Sequence, residues 1–188
     1  MDLLTEVERR EVKDNGALYI SGIFSVAEEK NQNGRIYPYS TLKRETDAYQ
    51  KLIKERRGLG ECDHPEEDVV ALQNASHLVT RLWWEGKTLY GTAKVLTTPA
   101  GQVLRALIND GVQLGISSRS LGSLQEDASS GANIVQDDLV LVCFDCVSDA
   151  SCPTALMTPH VISESRIREV FSKADRINRL LHKITAGE

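Results

Sequence analysis

Basic residues are in the minority in this chain of 188 residues, with 22 Lys and Arg against 27 Asp and Glu, a formal net charge of −5. Affinity for a polyphosphate comes chiefly from clustered Lys and Arg, so this balance argues against nucleic acid as the main partner. No apolar run reaches the ~18–20 residues that a bilayer-spanning helix needs. The start, MDLLTEVERRE, also lacks the basic-then-apolar order of a secretory signal. A cytosolic protein, or one assembled from the cytosol, is expected, with no membrane partner. Only four cysteines are present, Cys62, Cys143, Cys146 and Cys152. They are too sparse for the disulfide framework of a small secreted domain, so reduced thiols are expected. Internal repeats are absent, and 13 Gly and 5 Pro among 41% hydrophobic and 26% charged residues exclude a fibrous or disordered chain. What remains is an ordinary globular protein of one domain, with or without a tail.

Residues 1–16 read as polar and loose. The first ordered element expected is a strand over 17–27, with Leu18, Ile20 and Phe24 apolar and Gly22 interrupting it. After a loop, Pro38 precedes Ser40 or Thr41, either of which suits the cap of a helix over 41–57 with Leu42, Tyr49 and Ile53 as its stripe; Gly58 and Gly60 then stop it. Residues 76–96 read as a hairpin turning at Glu85-Gly86-Lys87. Trp83 and Trp84 cannot share one side of a strand, so one belongs to the core and the other covers a neighbour or rims a groove. A helix over 97–111 follows, with Leu104, Leu107 and Ile108 inward and Gly111 at its end. Three strands are then expected, over 112–124, 131–136 and 138–148. Residues 163–183 form an amphipathic pattern with Ile167, Val170, Phe171, Ile177 and Leu181 on one side, and 184–188 read as frayed. Several strands with interspersed helices predict an α+β or barrel-like architecture rather than regular βαβ units.

Three segments carry residue types suited to chemistry. His64 lies in the loop GLGECDHPEED, where a histidine is either merely solvated or functional. In GVQLGISSRSLGS, strand alternation puts Val112, Leu114, Ile116 and Ser118 on one face and Gln113, Gly115, Ser117 and Arg119 on the other. Ser117 thus projects opposite the apolar face. A polar outer face is the plain reading, but Gly115 marks a place where another chain or ligand comes close. GISSR lacks the second Gly of a G-x-S-x-G elbow, which disfavours an α/β-hydrolase. Asp145 sits inside the apolar run DLVLVCFDCVSDAS, where a carboxylate needs donors or a countercharge. It either forms a structural ion pair with an Arg or orients an imidazole. Cys143 and Cys146 lie at C-x-x-C spacing, but in a strand their sulfurs point to opposite faces, and no second Cys/His pair stands at ligand spacing, so zinc is disfavoured.

Three motifs in order, Asn33-Gly34-Arg35-Ile36-Tyr37-Pro38, Gly60-Glu61-Cys62-Asp63-His64-Pro65 and Gly115-Ile116-Ser117-Ser118-Arg119, resemble the prohead core (maturation) proteases of tailed bacteriophages, a family similar in fold and active site to herpesvirus assemblin. The resemblance covers roughly residues 17–160. It implies an α+β fold with a mostly antiparallel β-barrel-like core surrounded by helices. The chain then divides into a flexible segment 1–16, a protease domain 17–160, and a C-terminal helix and tail 161–188. It further implies a serine endopeptidase of the immature capsid, in the host cytoplasm, that trims scaffold or core and capsid proteins and cleaves itself. His64 matches the family's histidine and Ser117 its nucleophile; Asp145 is assigned as third member from position and burial. Ser120 departs from the Gly that the family often has after the Arg. No metal or organic cofactor is implied. Relatives cut after Glu preceded two residues earlier by Leu or Ile, and such tripeptides occur at Leu4-Thr5-Glu6, Leu59-Gly60-Glu61, Leu124-Gln125-Glu126, Ile162-Ser163-Glu164 and Ile167-Arg168-Glu169. The terminal ones are favoured as pliable chain. Self-association into a homo-oligomer is left open. Two rival classes are a non-catalytic capsid-assembly or scaffold β-module and a thiol enzyme using Cys62 beside His64.

Overall fold

In the computed structural model, which describes residues 3–65 and 67–160, three helices and ten strands follow one another. They are α1 (Glu6–Asn15), β1 (Tyr19–Val26), β2 (Arg35–Ile36), α2 (Tyr39–Lys54), β3 (Leu59–Glu61), β4 (Ala75–Glu85), β5 (Thr88–Val95), α3 (Pro99–Asn109), β6 (Gly115–Leu121), β7 (Leu124–Asp127), β8 (Ala132–Val135), β9 (Val140–Val147) and β10 (Met157–His160). One antiparallel sheet runs β10-β1-β5-β4-β3, and β6 pairs with β9 as an antiparallel ribbon. Two single bridges join these parts, Cys62 with Cys146 and Gly115 with Leu156. The seven strands thereby close on themselves, which removes the open edges of the sheet. A third sheet, β2-β8-β7, flanks the barrel and contains one parallel pair, β2 with β8. The fold is therefore α+β with an antiparallel, barrel-like core, as expected.

Its interior is filled by Leu18, Ile20, Phe24, Val79, Leu89, Ile116 and Phe144, each nearly or wholly buried. Phe144 is met edge-on by Phe24 and by Tyr49 of α2. The tryptophans divide as strand geometry requires. Trp84 packs against the core and donates to Thr46 Oγ1 at 3.0 Å, whereas Trp83 lies on the other face, stacked on Tyr90 beneath Arg81.

Several local expectations are corrected. Residues 1–16 are not loose throughout, because Thr5 and Glu8 form a reciprocal capping box that starts α1, and Leu4 and Val12 are buried. β1 runs straight through Gly22; a Cβ there would stand 2.3 Å from the Leu156 carbonyl oxygen, so the glycine permits a close approach rather than a break. α2 starts two residues early, at Tyr39, with Pro38 as its N-cap and no side-chain cap. Leu107 of α3 and Val112 face solvent. The expected strand over 112–124 is divided between β6 and β7. Short strands β2, β3 and β10 carry too few residues to show a period. The expected C-terminal helix lies outside the described residues.

Candidate active site

β6 and β9 pair in a register that sets Ser117 directly opposite Asp145 and Arg119 opposite Cys143. Residues opposite one another in an antiparallel pair share a face, with Cβ atoms about 4.5–5.5 Å apart. Ser117, Asp145, Arg119 and Cys143 therefore form one polar face, while Ile116 and Phe144 enter the core from the other. The alternation expected for Ser117 is the one found.

His64 comes to this face from β3. At Asp63 the chain takes a left-handed conformation, φ 60°, while its N–H still donates to Cys146 O at 2.8 Å. Asp tolerates that region better than most residues, and the turn carries the next side chain off the β3–β9 seam. His64 Nδ1 then lies 2.9 Å from Asp145 Oδ2, with the imidazole 40% exposed and the carboxylate wholly buried.

Asp145 has further partners. Its Oδ1 accepts from the Glu61 N–H at 3.0 Å and faces the Cys143 thiol at 3.2 Å; Arg119 Nε lies 3.0 Å from Oδ2. Burial pushes the carboxyl's pKa up, but the bonds from His64, the Glu61 N–H and the Cys143 thiol, with the Arg119 charge, outweigh it and leave it below the ordinary value. An ionised carboxylate only accepts, so Nδ1 of His64 carries the proton and Nε2 presents a lone pair. The two sequence alternatives for Asp145, an Arg ion pair and an imidazole partner, are both realised.

Ser117 also borders a cleft of about 230 Å³. Its walls come from the end of β1, the loop with Glu29, Lys30 and Asn31, Ser117 and Ser118 of β6, and residues 151–154. The serine thus lies between this cleft and the charged cluster behind it.

Cys143 and Cys146 do face opposite sides of β9, one toward Asp145 and the other toward His77 at 4.0 Å. Among the described residues no three His, Cys, Asp or Glu side chains converge as a set of metal ligands. Cys62 does not suit a thiol nucleophile, because burial raises its pKa and its thiol is directed to the Ala100 carbonyl oxygen at 3.9 Å. Two residues of the site were not singled out by sequence, Glu61 and the charge of Arg119. Glu61 is 1% exposed and pairs with Arg119 at 2.7 Å. A signal existed, since Arg119 and Glu61 both lie inside the quoted motifs.

The model of the family described as prohead core protein serine protease matches residues 3–167. The prohead core protein protease of Enterobacteria phage T4 is 36% identical over 182 residues, which span 93% of this chain and 85% of that protein. The solved structure of the bacteriophage T4 capsid assembly protease, gp21, superimposes with a TM-score of 0.67 at 35% identity, covering 70% of this chain and 81% of the other. A weaker likeness, TM-score 0.47 at 13% identity over 88% of this chain and 75% of that one, is to the KSHV protease in complex with a hexapeptide phosphonate inhibitor.

Proposed function

The chain belongs to the prohead core protein serine protease family, and from that premise we propose that it works inside the phage prohead, cutting core and capsid proteins with Ser117 as nucleophile, His64 as base and Asp145 as the carboxylate behind it. The observation that carries this reading is the 2.9 Å bond from His64 to buried Asp145, with Ser117 opposite Asp145 on the same face. His64 Nε2 takes the Ser117 hydroxyl proton as Oγ attacks the scissile carbonyl carbon. The imidazolium so formed keeps its Nδ1–H on Asp145, which stabilises it. As the C–N bond breaks, Nε2–H protonates the departing amine. A water then loses its proton to Nε2 as it attacks the acyl ester, and as the ester C–Oγ bond breaks Nε2–H returns that proton to Oγ, which frees Ser117 and the acid product.

The substrate chain lies in the cleft beside Ser117, and cutting follows Glu, as in relatives; Lys30 on the cleft wall supplies a cation suited to that side chain. Self-cleavage is the finer part of the proposal. Leu4-Thr5-Glu6 is held by the α1 capping box and Glu61 is buried in β3, so neither is presented as free chain. Leu124-Gln125-Glu126 is exposed on β7, at the edge of its sheet. The sites favoured from sequence, Glu164 and Glu169, lie outside the described residues. Trimming there is concentration-dependent if one copy cuts another.

A fluorophosphonate probe with intact-mass measurement over time tests the whole reading. Wild-type protein should label once, on Ser117, and should lose its C-terminal segment after one of those two glutamates; Ser117→Ala should do neither. Ser118→Ala should keep turnover within the same order of magnitude. Labelling of Ser118, or truncation in Ser117→Ala, would overturn the assignment of the nucleophile.

A further inference from the structure

Arg119 occupies a junction that the acyl-transfer steps do not use. Its guanidinium reaches Glu61 at 2.7 Å, Asp145 at 3.0 Å and the Glu67 carbonyl at 2.8 Å, and its Nε lies 3.3 Å from Cys143 Sγ. These partners belong to β3, β9 and the loop after His64. Glu61 in turn accepts from the Ala71 N–H at 2.8 Å through its other oxygen. The chain around His64 is therefore anchored before it, where Glu61 pairs with Arg119, and after it, where the Glu67 carbonyl accepts from Arg119 and the Ala71 N–H donates to Glu61, and these ties meet in one buried ion pair. Arg119 is also two residues beyond Ser117 on the same face of β6. One side chain thus links the strands or loops of all three proposed catalytic residues.

The charges show why an arginine stands there. Burial raises the pKa of Cys62, Cys143, Cys146 and Tyr49, keeping them protonated, and lowers that of His77, keeping it neutral. Asp63, Glu67 and Asp68 are exposed. Asp145 and Glu61 are thus two buried carboxylates whose fixed countercharge is the one guanidinium. With His64 neutral the four groups carry a formal charge of −1; with His64 protonated they carry zero. The cluster is balanced for the imidazolium rather than for the resting imidazole, which is what differential stabilisation of the transition state requires.

We propose that Arg119 is a positioning residue for this protease: through Glu61, Asp145 and the Glu67 carbonyl it clamps the His64 loop against β9 and supplies the countercharge that lets Asp145 hold the imidazole. A planar fork is needed, because the three acceptors are met by three different nitrogens, Nη1 for the Glu67 carbonyl, Nη2 for Glu61 and Nε for Asp145, a spread that the single nitrogen of an ammonium does not span.

The proposal rests on the catalytic reading above, and the test separates the two. Wild-type enzyme labelled by the fluorophosphonate on Ser117 secures that reading before any Arg119 variant is made; failure to label sinks both. Arg119→Met should then lower kcat on a Glu-containing peptide by about 10²-fold, the cost of misplacing a catalytic group by about an ångström, with KM changed by less than about threefold. The acid limb of kcat/KM should move up by about one pH unit, since that limb reports protonation of the base and removing a nearby cation favours its protonated form. Added guanidinium ion should restore part of the activity. Folded Arg119→Met with wild-type kcat, or with a loss that neither shifts the acid limb nor responds to guanidinium, overturns the proposal. Should the Met variant not fold, Arg119→Lys decides: a loss of about tenfold in kcat with the acid limb in place is expected from loss of the fork alone, and wild-type kcat overturns it.

Discussion

Two histidines approach opposite faces of β9, and only one of them has the setting of a general base. His77 on β4 is wholly buried, with Nδ1 2.8 Å from Ser76 Oγ and Nε2 2.9 Å from the Phe144 carbonyl oxygen. His64 lies in a loop, part-exposed, on the Asp145 side. A serine–histidine contact is thus visible in the core and is inert there: both ring nitrogens are occupied, a carbonyl rather than a carboxylate stands behind the ring, and no substrate reaches it. Burial lowers the pKa of His77 against the pull of the Phe144 carbonyl and Asp145. Proximity of Ser and His is therefore a poor criterion. What separates the two sites is an ionised partner on one nitrogen and access to the other.

The largest effect should come from exchanging the roles of the two rings. His64→Ala should lower kcat by about 10⁶-fold, as loss of a base in a serine protease does, with little change in thermal midpoint. His77→Gln should behave inversely, losing about 1–3 kcal/mol of stability through the buried Ser76 hydroxyl left without its imidazole partner while its folded fraction keeps the wild-type kcat. Loss of turnover in folded His77→Gln would break the comparison. Asp145→Asn comes next. It is nearly isosteric, but an amide in that place favours the wrong His64 tautomer, and kcat should fall by about 10⁴-fold. A variant that keeps specific activity in its folded fraction would make Asp145 a partner of Arg119 alone.

The smallest effect concerns pH and stability, measured by denaturation between about pH 7 and pH 5. His77 has its folded pKa below the unfolded value near 6.5, so the unfolded chain binds more protons as pH falls below it. The contribution of His77 is present above that value and is lost on acidification toward the folded pKa, with a slope of at most about 1.4 kcal/mol per pH unit. His160, also lowered by burial, adds in the same direction. His77→Gln should flatten the curve without abolishing it. An unchanged slope would mean that His77 takes up a proton in the native state. Asp145, lowered too, contributes in the same sense but far below this range, with its stabilisation lost as pH falls through its folded value.

The hairpin over β4 and β5, the α3 helix and the facing of Ser117 were legible because each is local. Gly86 has the positive φ its turn needs, Thr98 caps α3 onto the Gly101 N–H, and β6 alternates. The helix at residues 6–15 was missed although its capping box, Thr5 with Glu8, stands in the sequence. Its mean polarity masked it, and its two apolar anchors find their partners only on the sheet. β7 beyond Leu124 is not legible as a strand, because nothing local distinguishes four residues of an edge strand, three of them exposed, from a loop.

By itself the sequence determined what depends on neighbours along the chain: strand alternation, caps, the turn at Gly86, the separation of Trp83 from Trp84, and the residue types at His64, Ser117 and Asp145. Tertiary structure alone decided which charge answers which. Glu61 and Asp145 lie 84 positions apart, and Arg119 stands 58 from one and 26 from the other. Their meeting is set by the register of β6 on β9 and by the single bridge of Cys62 to Cys146. A buried carboxylate announces only that it needs partners; the closing of the barrel determines that these are an imidazole, a backbone amide and a guanidinium together.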